Sequence, residues 1–139
     1  MAQFEELKEL GIFPLGEKNE AYASFFTGQS YLKALAQAPD GHFGVGNVTF
    51  EPGCRNNWHR HLGGYQILLV TGGQGLYQEA GKPAQFLHQG DVVVIADGVK
   101  HWHGATANSW FSHVAITVGQ AEWLEEVSDQ DYAQAYPGK

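Results

Sequence analysis

From Phe43 to Val118 the chain reads as short runs of β-branched and aromatic residues broken at short intervals by turn-forming pairs, the pattern of many short strands. Phe43 to Phe50 is the first clear strand, stopped by Glu51, Pro52 and Gly53 where a turn wants Pro and Gly. Tyr65 to Val70 and Gly75 to Gln78 then flank Thr71 to Gln74 as a predicted hairpin, with the glycines at 72, 73 and 75 as its punctuation. Ala84 to Leu87, Asp91 to Ile95, Lys100 to Ala105 and Trp110 to Val118 follow at the even spacing of a sandwich or barrel. Asp91 to Ile95 is too uniformly apolar to be an exposed strand. Upstream, Ala21 to Ala38 reads as edge strands, although Tyr31 to Ala38 also fits a short helix. Helix is expected only at the ends. Phe4, Leu7 and Leu10 share a helix face before Gly11 and Pro14 stop it, and Ser128 with Asp131 caps a closing helix at about 129 to 136. The expectation is one all-β domain over 1–139, with a barrel core at about 43–118, an N-terminal extension at 1–42 and a C-terminal extension at 119–139.

Charge narrows the partners. The 139 residues carry a formal charge of −7 with only eight Lys and Arg, which argues against nucleic acid and against an anionic membrane. A small molecule fits better. Cys54 is the one cysteine, so no internal disulfide can form. The start, MAQFEELKEL, lacks the basic and apolar regions of a signal peptide, and no apolar run nears the ~20 residues of a membrane span. These features lead us to expect a soluble, cytoplasmic protein.

Against this background the histidines stand out. His59 and His61 lie two apart, and on a strand such residues share a face, with Trp58 and Arg60 sent to the other. Gln66 is the next polar group before the apolar run Ile67 to Val70. About forty residues on, His101 and His103 repeat the arrangement with Trp102 opposite. Two such pairs suggest a metal cage. His113 lies on the strand Trp110 to Val118, where period alone leaves open whether its set faces inward. His42 and His88 sit beside turn residues and read as solvated, Cys54 reads as structural, and Trp58 and Trp102 read as packing or interface.

The residues Gly53, His59, His61, Gln66 and Gly73, followed by Gly90, Ala96, Asp97, Gly98 and His101, resemble the two motifs of the cupin superfamily. The resemblance implies a double-stranded β-helix, the cupin jelly roll, with short terminal helices. It implies His59, His61, Gln66 and His101 as ligands of one divalent transition metal, and a homodimer. An octahedral site with open positions favours Mn or Fe, with Ni, Co or Zn also suited to imidazole and amide oxygen. Ala96 and Ala105 depart from the usual Pro and Asn, which bears on the turn. Gln66 departs from the usual Glu, which bears on the chemistry, because four neutral ligands leave the ion's charge uncompensated.

The string Lys100 to Ala105, KHWHGA, together with His113, is similar to small single-domain cupins that include bacterial cupin-type hydroxynitrile lyases and the cupin parts joined to carboxymuconolactone-decarboxylase-like domains. That resemblance implies a Lewis-acid enzyme acting on a small hydroxy or carbonyl compound by carbon–carbon cleavage. His103 and His113 would then be the proton-transfer groups, since imidazole titrates near neutral pH. His103 serves equally as a partner that orients His101. An iron-dependent oxygenase and a non-catalytic binding cupin are the alternatives, because one fold carries many chemistries.

Overall fold

The structure, a computed structural model, describes residues 11–135. The expected N-terminal helix on Phe4, Leu7 and Leu10 lies outside them. The elements run β1 (Glu17–Lys18), a 3-10 turn (Ala23–Phe25), β2 (Phe26–Thr27), β3 (Ser30–Gln37), β4 (Phe43–Phe50), β5 (Arg55–Asn56), β6 (His59–Glu79), β7 (Gln85–His88), β8 (Val92–Ile95), β9 (His101–Ala105), β10 (Phe111–Trp123) and α1 (Asp129–Gln134). Among the described residues no helix is long and apolar enough to cross a membrane. Of the stretch Tyr31 to Ala38, residues 31–37 lie within β3, a strand and not a helix.

The strands form one curled sheet ordered β1-β3-β4-β10-β6-β9-β5-β2, with β7 and β8 also paired to β6. This is the cupin-like jelly roll. β6 closes it. Along its length it pairs with β10, β8, β7 and β9, and both of its ends return to one residue, because His59 and Glu79 each lie opposite His101. Each pairing satisfies backbone groups that an open edge would leave exposed.

The predicted hairpin at Thr71 to Gln74 does not form. Tyr65 to Val70 and Gly75 to Gln78 are parts of one 21-residue strand, β6. Gly73 instead pairs with Phe111 of β10, two residues from a bulge at Thr71, and has φ 74°, where a Cβ would come 1.9 Å from the Trp110 carbonyl oxygen. Such a close approach needs glycine, and it bends the strand without reversing it. The turn before Cys54 does form, with the Cys54 N–H donating to the Glu51 carbonyl at 2.9 Å. Ala96 also leaves its turn intact: its carbonyl accepts from the Val99 N–H at 3.3 Å, and Gly98 takes the positive φ. Ala96 is the first residue of that turn, a place with no need for proline's fixed φ.

The core has two parts. Between the curled faces, Phe50, Leu68, Val70, Ile95 and Phe111 pack with Cys54 and Tyr77. Behind β9, Leu76 and Trp102 pack with Val127, Tyr132 and Ala135 of the C-terminal region, so Trp102 is a packing residue. α1 is capped as expected, Ser128 Oγ accepting from the Asp131 N–H. It is latched by Arg55, which donates to the Val127 carbonyl and the Asp129 carboxylate and lies over the Tyr132 ring. One expectation fails here: β8 is covered on only one face. Val93 and Ile95 turn inward, but Val92 and Val94 are 61% and 66% exposed. The uniform run argues against an exposed strand, whereas β8 leaves one face of its apolar run open on the outer wall of the barrel.

Candidate metal centre

Strand alternation builds the site. On β6 the side chains of His59, His61, Gln66 and Leu68 point inward, and on β9 His101 and His103 do the same. The pairing of His59 with His101 brings the two strands' imidazoles together. One ring nitrogen from each of His59, His61 and His101 lies within 4.8 Å of the other two, a group that can hold a metal ion. All three rings are buried.

The hydrogen bonds orient them. His59 Nδ1–H donates to the Asn57 carbonyl at 2.8 Å and His101 Nδ1–H donates to the Val99 carbonyl at 2.9 Å, which leaves each Nε2 as a lone pair. His101 Nε2 is buried with no partner in the protein, a costly state that a cation removes. Gln66 Nε2 donates to Thr117 Oγ1 at 2.9 Å, so its Oε1 is turned to His61 Nε2 at 3.1 Å. Three imidazoles and an amide oxygen converge, and this donor set fits a divalent transition ion. Burial, then the neighbouring His101, holds His59 well below its ordinary pKa. Burial likewise lowers His61, and lowers His101 to about 4. The rings are neutral near pH 7, as ligation requires.

His103 and His113 form a second layer. Their rings meet edge to face, with centroids 4.9 Å apart, and His103 stacks 5.8 Å from His101. His113 thus faces the interior, the question that period left open. Burial lowers His103 well below its usual pKa and lowers His113 to about 3. The backbone at Val114 opposes this shift of His113 only in part. His42 and His88 are exposed, away from this cluster. Cys54 is fully buried, and burial followed by the Glu51 charge pushes its thiol up to about 12, so it is inert packing.

A cavity of about 380 Å³ adjoins the cluster and is lined by His59, His61, Gln66, His103 and His113. Aromatic residues, Tyr22, Phe26, Phe50 and Trp123, and small ones, Ala34, Gly46 and Ala115, also line it. Two of its residues escaped sequence reasoning. Trp123 packs 4.5 Å from the His59 ring and stacks on Phe25 at 4.7 Å. It lies on β10 in the same alternate set as His113, Ala115 and Thr117, so the period, followed past Val118, could have found it. Asn56 is buried and grips His103 twice: its Oδ1 accepts the His103 backbone N–H at 2.9 Å, and its Nδ2 lies 3.3 Å from both ring nitrogens. No sequence signal marks Asn56, because it reaches His103 from a separate two-residue strand.

Over residues 46–118 the sequence matches the Cupin domain family. The chain belongs to the cupin family. This cupin is 42% identical over 132 residues to the (R)-mandelonitrile lyase of Granulicella tundricola, covering 91% of this chain and 98% of that protein. A cupin-like protein from Thermotoga maritima has the same fold at a TM-score of 0.85 and 45% identity, covering 92% of this cupin and 98% of that chain. A predicted oxalate decarboxylase from the same organism matches at 0.67 with 20% identity over 81% of this cupin and 96% of that chain, a likeness of fold alone.

Proposed function

We propose that this cupin is a metal-dependent lyase that cleaves small aromatic cyanohydrins into an aldehyde and hydrogen cyanide. The observation that carries the reading is the buried cluster of His59, His61 and His101 with the neutral Gln66 amide, opening on an aromatic-walled cavity. The likeness to a protein named for mandelonitrile, an aromatic cyanohydrin, supports it. A divalent transition ion held by those four residues, Mn or Fe before Ni, Co or Zn, would supply a Lewis acid for the substrate hydroxyl.

The chain's own groups do the rest. Phe26, Phe50 and Trp123 would pack against the substrate's aromatic group, while the small lining residues Ala34, Gly46 and Ala115 leave room for it. His103 is neutral and therefore able to take the hydroxyl proton as the carbonyl forms and the carbon–carbon electron pair leaves with cyanide. That proton then passes to cyanide through His103 or the adjoining His113. Asn56 is a positioning residue that fixes the His103 ring. The buried single thiol of Cys54 suits a reducing compartment such as the cytoplasm.

The test is release of cyanide and benzaldehyde from (R)-mandelonitrile by protein loaded separately with Mn, Fe and Zn, with dissolved oxygen followed at the same time. Cyanide release without oxygen uptake is expected, and His103→Phe should retain its metal but lose about a hundredfold or more in rate. Oxygen uptake coupled to turnover would replace the lyase with an oxygenase. Mandelonitrile binding by calorimetry with no cyanide released under any metal would leave a binding protein.

A further inference from the structure

Where β10, β4 and β3 face the cavity, they carry residues that strands rarely favour. Ala115, Gly46 and Ala34 lie side by side in register, and all three line the cavity. The row spans about 10 Å, two strand spacings. Exposure rises along it, since Ala115 is buried, Gly46 half-buried and Ala34 exposed, so the row leads from the interior to the cavity's mouth. Gly44, two residues along β4, lines the same cavity. Neither glycine has the positive φ that demands glycine. A Cβ at Gly44 would meet nothing within 4 Å, and one at Gly46 would first meet the end of the Leu32 side chain, at 3.2 Å. Glycine weakens a strand, so two of them without a backbone reason mark space kept for something else. A second observation points to what fills that space. His113, paired with Val48 in the adjoining row, lines the same cavity and is 1% exposed, and both its ring nitrogens lack a hydrogen-bond partner among the described residues. A buried polar group unpaired beside open space calls for an occupant from outside the chain.

On the lyase function proposed for this site, we infer that its substrates are cyanohydrins of two-ring aromatic aldehydes, with the second ring lying along Ala115, Gly46 and Ala34. Volume points to a ligand of that size. A cavity of about 150 Å³ accepts one benzene molecule, and this cavity has about 380 Å³. One ring with a hydroxyl and a nitrile leaves much of that space to water, whereas a second ring fills it with apolar surface. Shape points the same way, because glycine and alanine let a flat ring lie close against the strand backbones. Charge sets the chemistry of the extension. No Asp, Glu, Lys or Arg is among the residues that line the cavity, so the added group is a neutral ring and not an acid or an amine.

The measurement compares, by calorimetry on Mn-loaded protein, the affinities of 2-naphthylmethanol and benzyl alcohol, two unreactive alcohols that differ by one fused ring. The naphthyl alcohol should bind about tenfold tighter or more. Gly46→Val places a branched side chain in the row and should cut that preference by about tenfold or more. Ala34→Leu, at an exposed position that the fold tolerates, should cut it in the same direction. In kcat/KM the cyanohydrin of 2-naphthaldehyde should exceed mandelonitrile by a similar factor. Equal affinities for the two alcohols, or a preference that survives both substitutions, overturn the inference. The lyase function stands or falls separately. Cyanide released from mandelonitrile without any naphthyl preference overturns the second-ring site alone. A naphthyl preference lost in both variants, with no cyanide from either cyanohydrin, supports the second-ring site and overturns the lyase.

Discussion

The two faces of β6 and β10 invert the usual rule. Inward, the strands carry His59, His61, Gln66 and His113 together with Leu68 and Ala115; outward, they carry Tyr65, which is exposed, and Ile67, Leu69 and Ile116, which are half-buried. Polar groups are buried where apolar ones are the norm, and apolar groups stand half-buried or exposed where charge is the norm. Buried imidazoles are costly, and His101 Nε2 and both nitrogens of His113 have no partner within the protein. An arrangement so costly to stability is the mark of a site that meets something from outside the chain. The outer face carries the opposite chemistry, with Val92 and Val94 of β8 61% and 66% exposed beside these strands.

Breaking the inner face at a ligand should have the largest effect. His61→Ala is expected to fall from about one metal ion per chain to almost none by elemental analysis, and to lose on the order of a thousandfold or more in cyanohydrin cleavage. Next comes the packing beneath the site. Leu68 is fully buried in the main core, so Leu68→Ala should cost about 2 to 5 kcal/mol in denaturant unfolding.

A pH series sharpens the cost of the buried imidazoles. His113 and His101 are held below the ordinary histidine value, near 3 and 4, so the unfolded chain binds more protons than the folded one between those values and about 6.5. Stability of the metal-stripped protein is therefore full above about pH 6.5 and declines as the pH falls toward 3. His113→Phe should give a shallower decline in thermal melts across that window, and an unchanged slope would show that His113 is not buried as a neutral ring. The smallest effect belongs to the outer face of one chain: Val92→Thr, at a position 61% exposed, should move monomer stability by no more than about 0.5 kcal/mol. A large loss measured on isolated monomers would mean that the outer row is part of the chain's own core.

Much of the barrel was legible from local pattern. β4 runs from Phe43 to Phe50 as the alternation predicts, and β9 and α1 lie within a residue or two of their expected starts, because turns and caps are chemistry between near neighbours. The hairpin at Gly72 and Gly73 was misread for an equally physical reason. A glycine pair signals either a reversal or a close backbone approach, and which one applies depends on the Trp110 carbonyl, almost forty residues away. Val92 and Val94 were misread because hydropathy reports what a strand would prefer to contact, whereas position in the barrel decides what covers it.

The site divides along the same line. By itself the sequence determined that His59 and His61 share a face, that His101 and His103 share another, and that Gln66 stands where its amide departs from the family's acid; these follow from period two and from motif spacing, both properties of adjacent residues. Only the tertiary structure decided that the two faces meet, through β6 curling until its ends flank His101. It also decided that His113 turns inward to His103, that Asn56 grips His103 from another strand, and that Trp123 closes the cavity beside His59. Such contacts depend on strand register and sheet curvature, which are set by the packing of the whole chain.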